Sequence, residues 1–142
     1  MQTDYQFLID HKAKVEHVQV IQDGVVEFNT PFIGTKTKFC VFLKDKDNET
    51  LGGASGNVWP ELKLLYLDFV HIAEPLRRLG YGRKLMQEVE EEARRLGCIA
   101  ILLDTYSFQA EGFYTKLGFT RIGFLEKQFG NYDRIYMRKN LE

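Results

Sequence analysis

The sequence predicts a mixed α/β fold: a mostly antiparallel sheet, flanked by helices, with one parallel strand pair inside it. An apolar stretch at 63–72 is followed by a glycine-rich bend, an amphipathic helix and a second apolar run at 98–103, the order of a parallel crossover. Segments 38–43 and 50–59 flank the polar turn Lys44-Asp45-Lys46-Asp47-Asn48-Glu49, which reads as an antiparallel hairpin. The 142 residues are 44% hydrophobic and 13% aromatic, enough apolar material for one core and a single domain over 1–142.

Residues 5–9 form a short apolar run that reads as a first strand. From 14 to 29, Val15, Val18, Ile21, Val25 and Phe28 recur every three or four positions, a helical spacing that Gly24 interrupts and the segment 29–34, with Pro31, ends. In the second hairpin strand Gly52, Gly53 and Gly56 announce a bulge or a close backbone approach. After 98–103 comes a short helix at 110–117 with Gly118 as its stop, then strands at 120–125 and 134–138 joined by a loop at 126–133.

The strand at 63–72 leads into the chemistry. Regular alternation puts Tyr66, Asp68, Val70 and Ile72 on one face and Leu65, Leu67, Phe69 and His71 on the other. A carboxylate inside Leu-Tyr-Leu-Asp-Phe-Val costs several kcal/mol if buried without a partner. Asp68 is therefore either a structural acid with a neighbouring donor or a general base whose pKa burial raises. Tyr66 is a candidate substrate contact or water holder on the same face, while His71 reads as structural.

The bend Arg77-Arg78-Leu79-Gly80-Tyr81-Gly82-Arg83-Lys84 has two glycines that let several N–H groups converge on one point. In the following helix Leu85, Met86, Val89, Ala93 and Leu96 share one face, and Gly97 stops it. Cations crowd its first turn, although a helix N-terminus already carries roughly half a positive charge. A bound phosphate or pyrophosphate relieves that repulsion and takes up the open N–H groups. Lys84 precedes Leu85 rather than a hydroxyl residue, which excludes a P-loop, and the third glycine of a dinucleotide fingerprint is missing.

Arg77, Gly80 and Gly82, placed between an apolar strand and a helix, resemble motif A of the GNAT superfamily of acetyl-CoA-dependent N-acetyltransferases. The stretch Ser107-Phe108-Gln109-Ala110-Glu111-Gly112-Phe113-Tyr114-Thr115-Lys116-Leu117-Gly118-Phe119 resembles its motif B, and the likeness runs over about 39–138. The resemblance implies a GNAT-like acyl-CoA N-acyltransferase fold whose two parallel strands splay apart, with the coenzyme A arm entering the gap. It implies that Arg77, Arg78, Leu79, Gly80, Tyr81, Gly82 and Arg83 hold the pyrophosphate. Val70, His71, Ile72 and Ser107 are implied to bind the rest of the cosubstrate. Asp68 is the implied base, and Tyr114 the acid that protonates the departing thiolate. Acetyl-CoA is the expected cosubstrate, a small-molecule or peptide amine the expected acceptor, and no metal is required. A non-catalytic acyl-CoA-binding module and a nucleotide-binding protein are the alternatives.

The remaining composition narrows the field. A net charge of −1 argues against nucleic acid as partner. No run approaches the ~18 apolar residues of a membrane span, and the first residues lack a basic leader, so neither membrane insertion nor secretion is expected. Two cysteines, Cys40 and Cys98, with three histidines give no metal-ligand spacing and suit a cytoplasmic protein. Acetyltransferases of this type often pair, so a homodimer is a further expectation.

Overall fold

The computed structural model describes residues 4–142, which fall into two compact units, Met1–Ile33 and Gly34–Glu142. The first unit holds one helix, α1 (Val15–Ile33). The strand expected at 5–9 does not form. All six strands belong to the second unit, and a short apolar run without a ladder partner leaves its N–H and C=O groups unpaired. Helix α1 also runs through Gly24 and past the expected end at 29. One interior glycine costs only about 1 kcal/mol. Pro31 lies in the last turn, where few turns remain to be disturbed, and Gly34 then adopts a left-handed φ of 74° just beyond the helix.

The second unit is a six-stranded sheet in the order β1-β2-β3-β4-β6-β5, with β1 (Thr37–Lys44), β2 (Thr50–Trp59), β3 (Leu64–Ile72), β4 (Ala100–Tyr106), β5 (Thr120–Phe129) and β6 (Tyr132–Asn140). Every neighbouring pair is antiparallel except β3 with β4. Between those two runs helix α2 (Tyr81–Arg95), the crossover that the periodicity predicts. Helix α3 (Glu111–Lys116) follows β4.

Helix α2 packs over β1, β2 and β3 and buries Leu85, Met86, Val89 and Ala93. Leu96 caps the helix and is half exposed rather than joining that face. Beneath lie Leu65, Leu67, Ile101, Leu103, Ile135 and Met137, all essentially without solvent contact. These are the alternate residues of β3, β4 and β6, as a sheet with one core-facing side requires. β5 and β6 are longer than expected. Most of the segment 126–133 extends their hairpin, and the turn itself narrows to Gly130 and Asn131, with Gly130 at φ 61°.

The three glycines of β2 are explained by close approach. A Cβ at Gly56 would sit 2.0 Å from the Tyr66 carbonyl oxygen, at Gly52 2.5 Å from that of His71, and at Gly53 2.5 Å from that of Val41. The bulge is there too, but its extra residue lies on the partner strand. Gly56 pairs with Leu67 and Ser55 with Phe69, leaving Asp68 unmatched.

Candidate active site

The bulge at Asp68 changes what the end of β3 presents. Before it, Leu65 and Leu67 are buried in the core; after it, Val70 and Ile72 pack against the core instead of Phe69 and His71. The expected alternation therefore breaks at Asp68, because an inserted residue moves every later side chain to the other face. Asp68 itself is exposed, not buried, and its carboxylate accepts from Asn57 Nδ2 at 3.3 Å. Among the described residues no other protein side chain holds it. The burial argument for a base fails, although the position beside the strand gap stands.

Backbone directions shift with the side chains. The Ala73 N–H donates to the Leu51 carbonyl at 2.8 Å, and the His71 carbonyl points at Gly52, so both face β2. Neighbouring residues of a strand present their backbone groups to opposite sides. Val70 and Ile72 thus turn theirs away from β2, toward the side where β4 has left. The Ile72 carbonyl accepts from Arg77 Nε at 2.9 Å. Of the three residues expected to bond an extended ligand, Val70 and Ile72 are aimed for it, whereas the backbone of His71 belongs to the sheet.

The parallel pair comes apart where the bulge begins. Leu64–Leu67 pair with Ala100–Leu103, and pairing ends there although both strands continue. A cleft of about 700 Å³ opens at this split, lined by Val70, His71 and Ile72 on one side and by Gln109, Ala110, Gly112, Phe113 and Tyr114 on the other. Its floor is the glycine bend, with Arg77, Arg78, Gly80, Gly82 and Arg83. A smaller opening on the other side of the gap is lined by Asp68, Phe69, Val70, Asp104, Thr105, Gln109, Ala110 and Tyr114. Val70, Gln109, Ala110 and Tyr114 border both, so the two spaces meet through the split.

The bend has the geometry of an anion cradle. Arg78 and Gly80 take left-handed φ values of 64° and 88°, between residues of ordinary conformation, which turns successive N–H groups inward. Gly80 is also the N-cap of α2 and offers no side chain, leaving the first N–H groups of the helix without an internal acceptor. A Cβ at Gly82 would come within 3.2 Å of the Phe113 ring, a tight contact that the absence of a side chain avoids. Among the described residues Arg77, Arg78, Arg83 and Lys84 form no ion pair. Three of these cations, Arg77, Arg78 and Arg83, line the concave surface, a charge that suits a diphosphate. Leu79 and Tyr81 sit beside the cleft without lining it; Leu79 is exposed, and the Lys84 ammonium lies 5.4 Å from the Tyr81 ring.

Tyr114 is buried between Phe113 and Phe119, with ring centroids at 5.2 and 5.6 Å. Its hydroxyl has no protein partner, yet among the described residues no buried side-chain oxygen is left unpartnered. The hydroxyl is therefore the part of the ring that reaches the cleft. Burial pushes its pKa up to about 12, so it stays protonated and able to donate. Ser107 lies outside the cleft: its Oγ accepts from the Asp133 N–H at 2.9 Å, and its own N–H donates to the Asp133 carbonyl at 2.9 Å.

Sequence reasoning missed a polar network at the same gap. Tyr66 donates its hydroxyl to Asp104 Oδ2, and Arg134 Nε donates to Asp104 Oδ1 at 3.1 Å. Burial, reinforced by the Asp104 carboxylate, raises the Tyr66 pKa well above that of a free phenol. Arg134, opposite Tyr106 in the β4–β6 register, is brought diagonally onto Asp104 across the strands. The only signal in the sequence is a carboxylate ending the apolar run of β4; its partners come from two other strands. Gln109 was also unassigned, although it lines both openings and accepts from Thr105 Oγ1 at 3.1 Å and the Tyr106 N–H at 3.0 Å.

The sheet is thus split at its one parallel pair, above a helix N-terminus lined by arginines. A family model described as "Acetyltransferase (GNAT) family" matches residues 9–119. An acetyltransferase of Agrobacterium fabrum is 32% identical over 124 residues, covering 84% of this chain and 87% of that protein. The blasticidin-S acetyltransferase of Streptomyces morookaense is 35% identical over 82 residues, covering 57% and 59% of the two chains. A crystal structure from Agrobacterium tumefaciens, provisionally described as an acetyltransferase, superposes with a TM-score of 0.86 at 28% identity, over 96% of this chain and 99% of that one. An acetyltransferase from Bacillus cereus gives 0.78 at 26% identity, over 94% and 97%. The chain belongs to the GNAT acetyltransferase family, and it is an acyltransferase.

Proposed function

We propose that this enzyme transfers an acetyl group from acetyl-CoA to a primary amine of a small molecule or peptide, by direct attack while both substrates are bound. One observation carries the reading: the strand split joins an anion cradle to a carboxylate-lined opening, with Val70 and Tyr114 between them. The cradle fits a diphosphate in shape and charge. Arg77, Arg78 and Arg83 with the N–H groups at Gly80 and Gly82 would hold it, and Val70 and Ile72 would bond the extended arm like an added strand. Acetyl-CoA supplies the activated acyl group; the protein supplies placement and proton transfer.

An amine arrives largely as an ammonium ion and must lose a proton before it attacks. Asp68, exposed at the gap and held by a single 3.3 Å hydrogen bond, takes that proton directly or through a water molecule. The Val70 N–H, aimed into the gap, meets the negative charge that develops on the carbonyl oxygen. The Tyr114 hydroxyl donates a hydrogen bond to the departing sulfur and stabilises the thiolate, whose thiol has a pKa near ~8.5, as it forms. Burial keeps the hydroxyl protonated, so it is always in the donating form.

Calorimetric titration with acetyl-CoA, followed by thiol release in the presence of an amine panel, tests the reading. Tight binding of acetyl-CoA over ATP and NAD, with amine-dependent thiol release, is expected. Binding without any amine-dependent release leaves an acyl-CoA-binding module and discards the transfer.

A further inference from the structure

Resting on that reaction, we propose that the acceptor is a singly charged amine carried on a planar, aromatic body. Its ammonium sits at the gap and its ring against an aromatic shelf at the end of β4. Four rings build the shelf. Tyr106 and Phe108 stack with centroids 5.4 Å apart and planes 8° from parallel. Phe129 meets Tyr106 edge-on at 5.0 Å, and Tyr132 meets Phe108 at 4.8 Å. Such a cluster in a core would need no further explanation. Here Phe108, Phe129 and Tyr132 are 55%, 53% and 48% exposed, so about half of each ring is left to water although the rings already touch. A contiguous exposed aromatic patch of this kind marks a place that something else covers.

The shelf is continuous with the gap. Tyr106 follows Asp104 and Thr105 on β4, and Asp104 and Tyr106 share a face of that strand. Gln109 lines the gap and closes the turn that carries Phe108, its N–H donating to the Tyr106 carbonyl at 2.8 Å. A ligand with one end at Asp68 and Asp104 that extends along β4 reaches the rings.

Charge sets the number of amines. Two carboxylates face the gap, and one of them, Asp104, is already paired with the Arg134 guanidinium and the Tyr66 hydroxyl. One net negative charge remains, matched to one ammonium. The next carboxylate along β6, Asp133, is turned to the Lys127 N–H at 2.9 Å. A polyamine would bring surplus cations toward Arg134. Aromatic rings reward a flat partner beyond simple area burial, so the shelf favours a ring over an alkyl chain.

The test compares matched acceptors by thiol release: arylalkyl monoamines, alkyl monoamines of equal length, spermidine and an aminoglycoside. The arylalkyl amines should show the highest kcat/KM. Phe108→Ala and Phe129→Ala should each raise the KM for the aryl amine about three- to tenfold, with a smaller change in kcat. Phe108→Leu keeps apolar bulk but loses the ring face, and should reproduce most of that increase with an unchanged melting temperature. Equal kcat/KM for aryl and alkyl amines overturns the assignment. So does a preference for the polycations, or the absence of any aryl-amine turnover by protein that binds acetyl-CoA. Failure to bind acetyl-CoA would remove the reaction itself, and the acceptor assignment with it.

Discussion

The two halves of the β3–β4 pair lie on the same two strands and end in opposite roles. In the first half, Leu64–Leu67 lie in register with Ala100–Leu103, their backbone groups paired and alternate leucines in the core. In the second, β3 continues through Phe69-Val70-His71-Ile72 with no β4 partner, and the freed groups line a cleft. One inserted residue, Asp68, separates them. The strand becomes a site by losing its neighbour, which frees backbone groups to bind, at the point where Asp68 and Asp104 bring carboxylates to the opening.

That contrast can be broken most severely at the cradle below the open half. Gly82→Trp should abolish acetyl-CoA binding in calorimetric titration, since even a Cβ there meets Phe113 at 3.2 Å. A folded variant with wild-type affinity would refute the cradle. Tyr114→Phe keeps the ring between Phe113 and Phe119 but removes the donor, and should lower kcat about 10²- to 10⁴-fold with little change in melting temperature. The same variant has a pH signature. Burial raises the Tyr114 pKa from 10.0 to about 12, so between those values the folded state holds a proton that the unfolded state has released. Wild-type stability should fall as pH rises from 10 toward 12, by up to about 1.4 kcal/mol per unit, and Tyr114→Phe should lose less.

Asp68→Asn should reduce kcat about 10²-fold. Because Asp68 is exposed, melting temperature should barely move; loss of stability with unchanged kcat would make it structural. Leu67→Ala, in the closed half, sharpens the comparison from the other side. It should cost about 2–5 kcal/mol of stability by denaturant titration while leaving turnover per folded molecule nearly unchanged. A large fall in kcat there would mean that the two halves are not separable.

Local pattern made much of this legible. The hairpin of β1 and β2, the amphipathic face of α2, its stop at Gly97 and the glycine bend all follow from interactions within a few residues, which composition and spacing record directly. The bend between Arg77 and Lys84 was visible for the same reason, whereas Tyr114 was singled out by the resemblance to motif B. The strand at 5–9 was not decidable in this way, because a strand exists only through a partner supplied from elsewhere in the chain. Nor was the end of β3. Alternation put Val70 and Ile72 on the face of Tyr66, and a single bulge reversed them.

By itself, then, the sequence determined the order of elements from 15 onward, the crossover and the glycine bend, since each is coded by neighbours along the chain. Only the tertiary structure decided that Asp68 stands exposed at a bulge and that Val70 rather than His71 offers its backbone to the gap. It alone joined Asp104 to Tyr66 and Arg134, and it alone gathered four rings into a shelf. Those features depend on register between strands, and register is a property of pairs of segments that no single stretch of residues contains.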